Sequence, residues 1–285
     1  MSADLDRWRA WVGREETVAD VIDAGRARAM QAALDDRAPP LDVGDPLPPL
    51  WHWLYFWTVA PAAALGPDGH PERGGFLPPI ELPRRMWAGS RVAFHRPLPL
   101  GAQATRRSTI TDVTFKAGRS GPLAFVTVRH EIGDGQGPCL ADEHDIVYRA
   151  AARSGETPRP GDPAPADASW RREVRADPVL LFRYSALTFN GHRIHYDHPY
   201  ATGTEGYPGL VVHGPLLATM MVELARARHP EAPIAAFAFR ALRPIFDTAP
   251  FTVAGRLAGD RSGAELWVAD PDGLLAMRGT VEFTT

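Results

Sequence analysis

Apolar residues in this chain fall into two spacings. Leu216, Leu217, Met220, Met221 and Leu224 recur at three-and-four intervals, the face of a helix. Gly214-Pro215 precedes them, and proline is tolerated at the first helical position, where its missing N–H costs nothing. This predicts a helix to about Arg228, and residues 178–189 predict a short apolar one. Residues 2–34 also read as helical: Trp8, Trp11 and Val12 belong to a first segment, and Val18, Val21 and Ile22 to a second that Thr17 would cap. Residues 50–65, LWHWLYFWTVAPAAAL, predict an aromatic core helix interrupted near Pro61. The second spacing is partial alternation in β-branched and aromatic runs, the mark of strands. It predicts strands over 90–100, 104–113, 124–132 and 142–148. Later it predicts them over 170–176, 234–246, 251–258, 265–269 and 274–283. Gly/Pro-rich turns at 118–122, 133–138, 259–263 and 271–273 separate them.

The order of elements repeats. Residues 1–150 read as helix followed by antiparallel strands, and residues 170–285 read the same way. Between them residues 151–169, dense in proline, alanine and small polar residues, read as a linker. Helices set against antiparallel sheet define the α+β class.

Composition narrows the function. The chain has 285 residues, 23% of them charged, and a formal charge of −3. That balance argues against a general nucleic-acid or membrane-surface binder. Cys139 is the lone cysteine, so an intrachain disulfide and a cysteine metal cluster are both excluded. The polar, acidic N-terminus does not read as a signal peptide, and no apolar run reaches membrane-spanning length. A cytoplasmic protein is the expectation. No Walker motif, dinucleotide fingerprint or metal-ligand spacing is present, so neither cofactor nor metal is expected.

Polar, ionisable and aromatic residues crowd into 181–213, just ahead of the helix at Gly214. A helix that starts after a glycine offers free backbone N–H groups and a positive dipole end, a ready oxyanion site. His195 lies a loop away in sequence. Arg193, Arg240 and Arg243 are candidates for a phosphate or carboxylate, with solvated strand-edge arginines as the alternative. For the aromatic stretch, core packing and a pocket wall made of Trp51, Trp53 and Tyr55 both stand. His192 either lines a site or bonds a loop. Asp197, ahead of His198-Pro199, suits an N-cap, and His213 suits a turn-positioning role.

Asn190-Gly191-His192-Arg193-Ile194-His195-Tyr196-Asp197, with Val211-Val212-His213-Gly214 downstream, resembles the MaoC-like (R)-specific enoyl-CoA hydratases, the hydratase 2 family. Their motif is aspartate, any residue, asparagine, proline, any residue, histidine, any residue, aspartate, with a histidine–glycine pair about twenty residues on. The run Phe189–Asp197 is most similar to the branch that includes the mesaconyl-C4-CoA hydratases. The resemblance spans nearly the whole chain. It implies a double hotdog: two hotdog folds in one polypeptide, each a sheet around a helix, the second carrying the catalytic motif. It also implies an acyl-CoA thioester substrate. His195 would be the base, Gly214 the oxyanion donor, and Asn190 would stand where most members carry a catalytic aspartate. His192, Arg193, Tyr207, Arg240, Arg243 and Trp51 form the expected substrate-binding set.

Hydration needs a base for water, an acid for the α-carbon and donors for the enolate oxygen, and histidine serves the first and shares the second. Asn190 can hold water but cannot take a proton at neutral pH. Either His195 works alone with Asn190 orienting the water, or a carboxylate such as Glu205 assists. The expected activity is reversible hydration of an enoyl-CoA, with a branched C5 dicarboxylic acyl group (mesaconyl-C4-CoA or itaconyl-CoA) as one candidate. A 3-hydroxyacyl-ACP or acyl-CoA dehydratase is the main alternative. A hotdog thioesterase and an inactive acyl-CoA-binding protein rank behind it, and homodimerisation is left open.

Overall fold

Ten strands form one antiparallel sheet in the order β1-β3-β4-β5-β2-β7-β10-β9-β8-β6. The structure is a computed structural model and describes residues 7–118, 121–150 and 161–284. The first half holds β1 (Glu15–Val21), α1 (Ala24–Ala33), β2 (Arg84–Phe94), β3 (Gln103–Gly118), β4 (Gly121–Asp134) and β5 (Gly137–Arg149). The second holds β6 (Trp170–Val174), α2 (Pro178–Leu187), α3 (Gly214–Arg228), β7 (Ile234–Ala241), β8 (Phe251–Leu257), β9 (Gly263–Ala269) and β10 (Leu275–Phe283). Counted from each edge inward, the order β1-β3-β4-β5-β2 is matched by β6-β8-β9-β10-β7, so the two halves repeat one topology. They join where β2 pairs with β7, from Gly89↔Arg240 to Ala93↔Ala236.

α3 is the central helix of the second half. Leu216, Leu217, Met220, Met221 and Leu224 are buried as their spacing predicts, and Ala218, Thr219, Val222 and Ala225 are buried with them. A helix buried nearly all round must be apolar nearly all round. Each buried Leu or Met contributes about 1.5–3 kcal/mol of transfer free energy. Arg226 and Arg228 in its last turn face the negative dipole end.

Between β1 and β2 the chain has no counterpart of α3. Residues 50–65, expected to be a helix, form only short 3-10 turns, one at Ala62–Ala64 and one at Trp51–Leu54. Its side chains are drawn apart by their polar groups. Trp51 Nε1 donates to Glu223 on α3 at 3.0 Å, and Trp53 Nε1 donates to Asp142 on β5 at 2.8 Å. Left-handed backbone at Leu50 (φ 71°) and Phe56 (φ 58°) breaks the run on both sides.

Residues 2–34 also differ from expectation. Glu15–Val21 is an edge strand paired with β3, its residues alternating between exposed and half-buried. Pairing with β3 outweighs the weak helical spacing of Val18, Val21 and Ile22. Thr17 sits inside that strand, and Asp23 caps α1 instead, accepting from the Arg26 N–H at 3.0 Å. Residues 2–6 lie outside the described residues. Of the expected linker 151–169, residues 151–160 lie outside them too. Residues 161–169 carry no helix or strand, and Pro163 makes an isolated bridge to Leu274.

Candidate active site

The loop that carries the motif is built from both ends. Asp177 caps α2, accepting from the Leu180 N–H at 2.8 Å, and Pro178 opens the helix. α2 stops at Thr188, whose hydroxyl donates to the Tyr184 carbonyl at 2.7 Å. Phe189 turns the chain with φ 51°. Asn190 Oδ1 then accepts the His192 N–H at 3.0 Å, an Asx turn that fixes the loop. That bond uses the amide oxygen and leaves the amide NH2 for another ligand.

His195 closes a 3-10 turn and is buried. Its Nδ1–H donates to the Val211 carbonyl at 2.7 Å, while the Val211 N–H donates to the Ile194 carbonyl at 3.0 Å. The ring tautomer follows: Nδ1 carries the proton and Nε2 keeps its lone pair. Burial pulls the His195 pKa down to about 4, against the opposing pull of the Val211 bond. The ring is therefore neutral at pH 7. His213 stacks on it, centroids 3.7 Å apart, and shares a 2.8 Å bond between Nε2 and the Ser185 hydroxyl. Burial also holds His213 well below the usual histidine range.

Gly214 is the first residue of α3. The first intrahelical bond runs from the Leu217 N–H to the His213 carbonyl at 3.1 Å, so the Gly214 N–H is unused by the helix. A Cβ placed on Gly214 would meet nothing nearer than Met277 Cε at 4.0 Å. The glycine leaves open space at the helix start. His195, Gly214 and Asn190 line one cleft, walled by both halves.

The other expected residues separate into groups. His192 lines the cleft, its ring 5.4 Å from His195 and 4.1 Å from His70, and burial beside those two rings lowers its pKa to about 2. Tyr207, Arg240 and Arg243 also line it, as do Trp53 and Tyr55. Arg240 lies in β7 and is exposed; Arg243 follows that strand, its Nε 3.5 Å from Asp270. Arg193 is committed elsewhere, donating to Asp197 from Nε and Nη2 at 2.9 and 2.7 Å and to the Pro67 carbonyl at 3.0 Å. Asp197 accepts the Tyr200 N–H at 3.1 Å, a cap on the following turn. Trp51 is buried in the core and is not among the residues that line the cleft. Glu205 lines the cleft and accepts from the Tyr200 hydroxyl at 3.2 Å.

Two features were not read from the sequence. One is a brace from the first half. The Arg193 N–H donates to the Asp68 carbonyl at 2.9 Å, and Gly69 (φ +86°) lies so close that a Cβ would sit 2.0 Å from the Gly191 carbonyl oxygen. Asp68, His70 and His192 bring donor atoms within 4.8 Å of one another, a set able to take a divalent cation. Asp68 already accepts from His70, which lowers the Asp68 pKa despite its burial.

The other is a polar stripe on one face of the first-half sheet. The register sets His130 opposite both Ser108 and Asp142, and His144 opposite Ser90. Asp142 is buried and accepts from His144 Nε2 (2.7 Å), Trp53 Nε1 (2.8 Å), His52 Nε2 (3.1 Å) and the Ser90 hydroxyl. These donors hold its carboxyl well below the usual range although burial pushes the other way. His144 Nδ1 is 3.3 Å from His130 Nε2, and His130 Nδ1 is 2.9 Å from the Ser108 hydroxyl. The available signal was the i, i+2 spacing of Asp142 and His144.

A histidine held neutral shares one cleft with an unused helix start, on two fused repeats of one strand order. The profile of the family described as "Hydroxyacyl-thioester dehydratase type 2" matches residues 50–247. A mesaconyl-C(4)-CoA hydratase of Chloroflexus aurantiacus is 51% identical over 275 residues, 96% of this chain and 97% of that protein. Among solved structures, a MaoC-like dehydratase superposes with a TM-score of 0.71 at 16% identity, over 97% of this chain and 100% of that one. A Mycobacterium tuberculosis protein described as a double hotdog superposes with a TM-score of 0.58 at 13% identity, over 96% of each chain. The chain belongs to the hydroxyacyl-thioester dehydratase type 2 family and has the double hotdog fold. It is an acyl-CoA hydratase/dehydratase, a hydro-lyase. No helix among the described residues is long and apolar enough to cross a membrane.

Proposed function

We propose that the chain adds water reversibly to a short, branched dicarboxylic enoyl-CoA of the mesaconyl-C4-CoA type, with His195 as its acid–base group. The observation that carries the residue assignment is the Nδ1 bond of His195 to Val211, which leaves a neutral Nε2 lone pair in the cleft. The substrate class is supported by the 51% identical relative, whose name carries it. A small cavity of about 210 Å³ shares Asn190 and Pro215 with the cleft.

His195 Nε2 takes a proton from a water that the Asn190 amide orients. The water oxygen bonds to the β-carbon, and the π electrons move toward the thioester oxygen. The Gly214 N–H and the α3 dipole stabilise the resulting enolate, a contribution of several kcal/mol in comparable sites. The His195 imidazolium then returns its proton to the α-carbon, so the two hydrogens of water end on the new hydroxyl and on Cα. Burial that lowers the His195 pKa also makes the imidazolium a ready donor for this last step.

Run backwards, the same site dehydrates a 3-hydroxyacyl thioester, the reaction in the family's description. A panel of mesaconyl-C4-CoA, crotonyl-CoA, a long-chain enoyl-CoA and a 3-hydroxyacyl-ACP decides between the readings. The proposal expects the highest kcat/KM on mesaconyl-C4-CoA. A panel led by the long-chain thioester or the ACP substrate would replace it with the dehydratase reading.

A further inference from the structure

We propose that Arg106, on β3 of the half that lacks the catalytic motif, binds the free carboxylate of the acyl group. This inference rests on the hydratase reading above and names the residue that would make the site selective for a dicarboxylic thioester.

The small cavity brings Arg106 and Asn190 to one space, together with Trp87, His130, His144 and Pro215. Most polar groups in it are already occupied. Asp142 takes four donors. The His52, His144 and His130 rings are bonded to Asp142, to each other or to Ser108. Burial holds His52 and His130 below the usual histidine range, so both are neutral at pH 7. Thr188 bonds back to its own helix.

Arg106 is the exception. Its Nε is buried without a hydrogen-bond partner among the described residues. Its Nη2 reaches only Glu16, at 3.5 Å, the far end of a useful contact. Burial lowers its pKa from the ordinary guanidinium value, with Glu16 and then Asp142 opposing. Arginine stays charged regardless, and a buried cation with unused donors is costly unless a ligand completes it. A guanidinium presents a planar fork that fits a carboxylate, so the missing ligand is an anion of that shape.

The chemistry places that anion. In a 3-methylfumaryl thioester the free carboxylate is on the β-carbon, one bond from the atom that receives water. Asn190 lines both the cleft with His195 and the cavity with Arg106, so one acyl group can meet all three. A neutral amide at position 190 then fits twice over: it orients water, and it adds no negative charge beside the substrate's own.

The experiment is titration calorimetry with two saturated, unreactive thioesters, succinyl-CoA and butyryl-CoA, which share a chain length and differ in the terminal carboxylate. They are titrated into the wild-type chain, Arg106→Met and Arg106→Lys, with thermal unfolding recorded for each. Wild type is expected to bind succinyl-CoA at least about tenfold more tightly than butyryl-CoA. Arg106→Met should abolish or invert that ratio, and Arg106→Lys, which keeps charge but not the fork, should fall between. An undiminished ratio in a folded Arg106→Met, or no preference in wild type, would overturn the proposal. If Arg106→Met fails to fold, the wild-type and Arg106→Lys ratios decide: equal ratios contradict it, a reduced lysine ratio supports it. Binding needs no turnover, so a chain that prefers succinyl-CoA but hydrates no enoyl-CoA would overturn the hydratase reading alone. One that hydrates crotonyl-CoA but ignores the carboxylate would overturn this inference alone.

Discussion

The imidazole of His195 lies face to face with that of His213, centroids 3.7 Å and planes 18° apart, one residue before the start of α3. The stack ties the proposed base to the helix that would supply the oxyanion donor. It also keeps both rings out of water and therefore neutral. Because the His195 pKa is pulled to about 4, kcat/KM should stay level as pH falls from 8 to about 5. An unperturbed histidine would lose its base near pH 6.5. A pH–rate profile with an acid limb near 6.5 would show that burial does not govern this residue.

Burial of several histidines also sets the pH dependence of stability. His52, His130, His192, His195 and His213 all have folded pKa values below the unfolded one. Below about pH 6.5 the unfolded chain takes up protons that the folded chain refuses, so stability falls as pH drops through that window. Asp142, depressed in the folded state, adds to the loss at still lower pH. Thermal unfolding should therefore show Tm falling steadily from pH 7 to pH 4.5. A flat Tm across that range would contradict the neutral, buried state of these rings.

Gly214→Ala separates folding from function. The backbone accepts alanine in a helix, worth up to about 1 kcal/mol over glycine, and the new methyl touches only Met277. The methyl occupies the open space at the helix start. Tm should hold or rise, and the methyl should push the thioester oxygen off the retained N–H, lowering turnover by about 10²-fold, the worth of an oxyanion contact. Wild-type turnover in this variant would remove Gly214 from the site.

Gly69→Ala tests the brace from the first half. A methyl 2.0 Å from the Gly191 oxygen, at a φ that L residues rarely adopt, must push the two loops apart. A shift of about 1 Å in the His195 loop is expected to cost about 10²-fold in kcat. Unchanged kinetics in a folded variant would mean that the loop at 66–72 does not position the motif.

Asn190→Asp tells charge from water-holding. The Asx turn survives, because aspartate accepts the His192 N–H equally well. If the amide only orients water, the substitution acts alike on crotonyl-CoA and on mesaconyl-C4-CoA. If it spares the substrate a like charge, KM rises for the dicarboxylic thioester alone, since like charges repel strongly in a site of low dielectric. The second pattern is expected, and equal effects on both thioesters would count against a dicarboxylic substrate.

What the sequence revealed follows from which interactions are local. α3 was legible because its apolar spacing, its Gly-Pro start and its burial agree. Most strands were legible from β-branched runs, though β2 begins at Arg84 and ends at Phe94 rather than spanning 90–100, and a motif of fixed spacing picked out His195, Asn190 and Gly214, which line one cleft. The turn at Trp51–Leu54 was not, because its shape is set by Glu223 and Asp142, 172 and 89 residues away in the chain from Trp51 and Trp53. β1 was misread because its pairing with β3 is equally remote. Arg106 was invisible for the same reason: an arginine in a half-polar strand reads as solvated until the register with β4 turns it inward beside His130.

The most direct measurement is the steady-state hydration of the best enoyl-CoA in the panel by His195→Ala, followed by loss of enoyl-thioester absorbance. Circular dichroism and CoA-thioester binding confirm that the variant is folded. If His195 is the acid–base group, kcat falls by at least about two orders of magnitude, the usual worth of such a positioned group. A folded His195→Ala enzyme that turns over within a few-fold of wild type would contradict it.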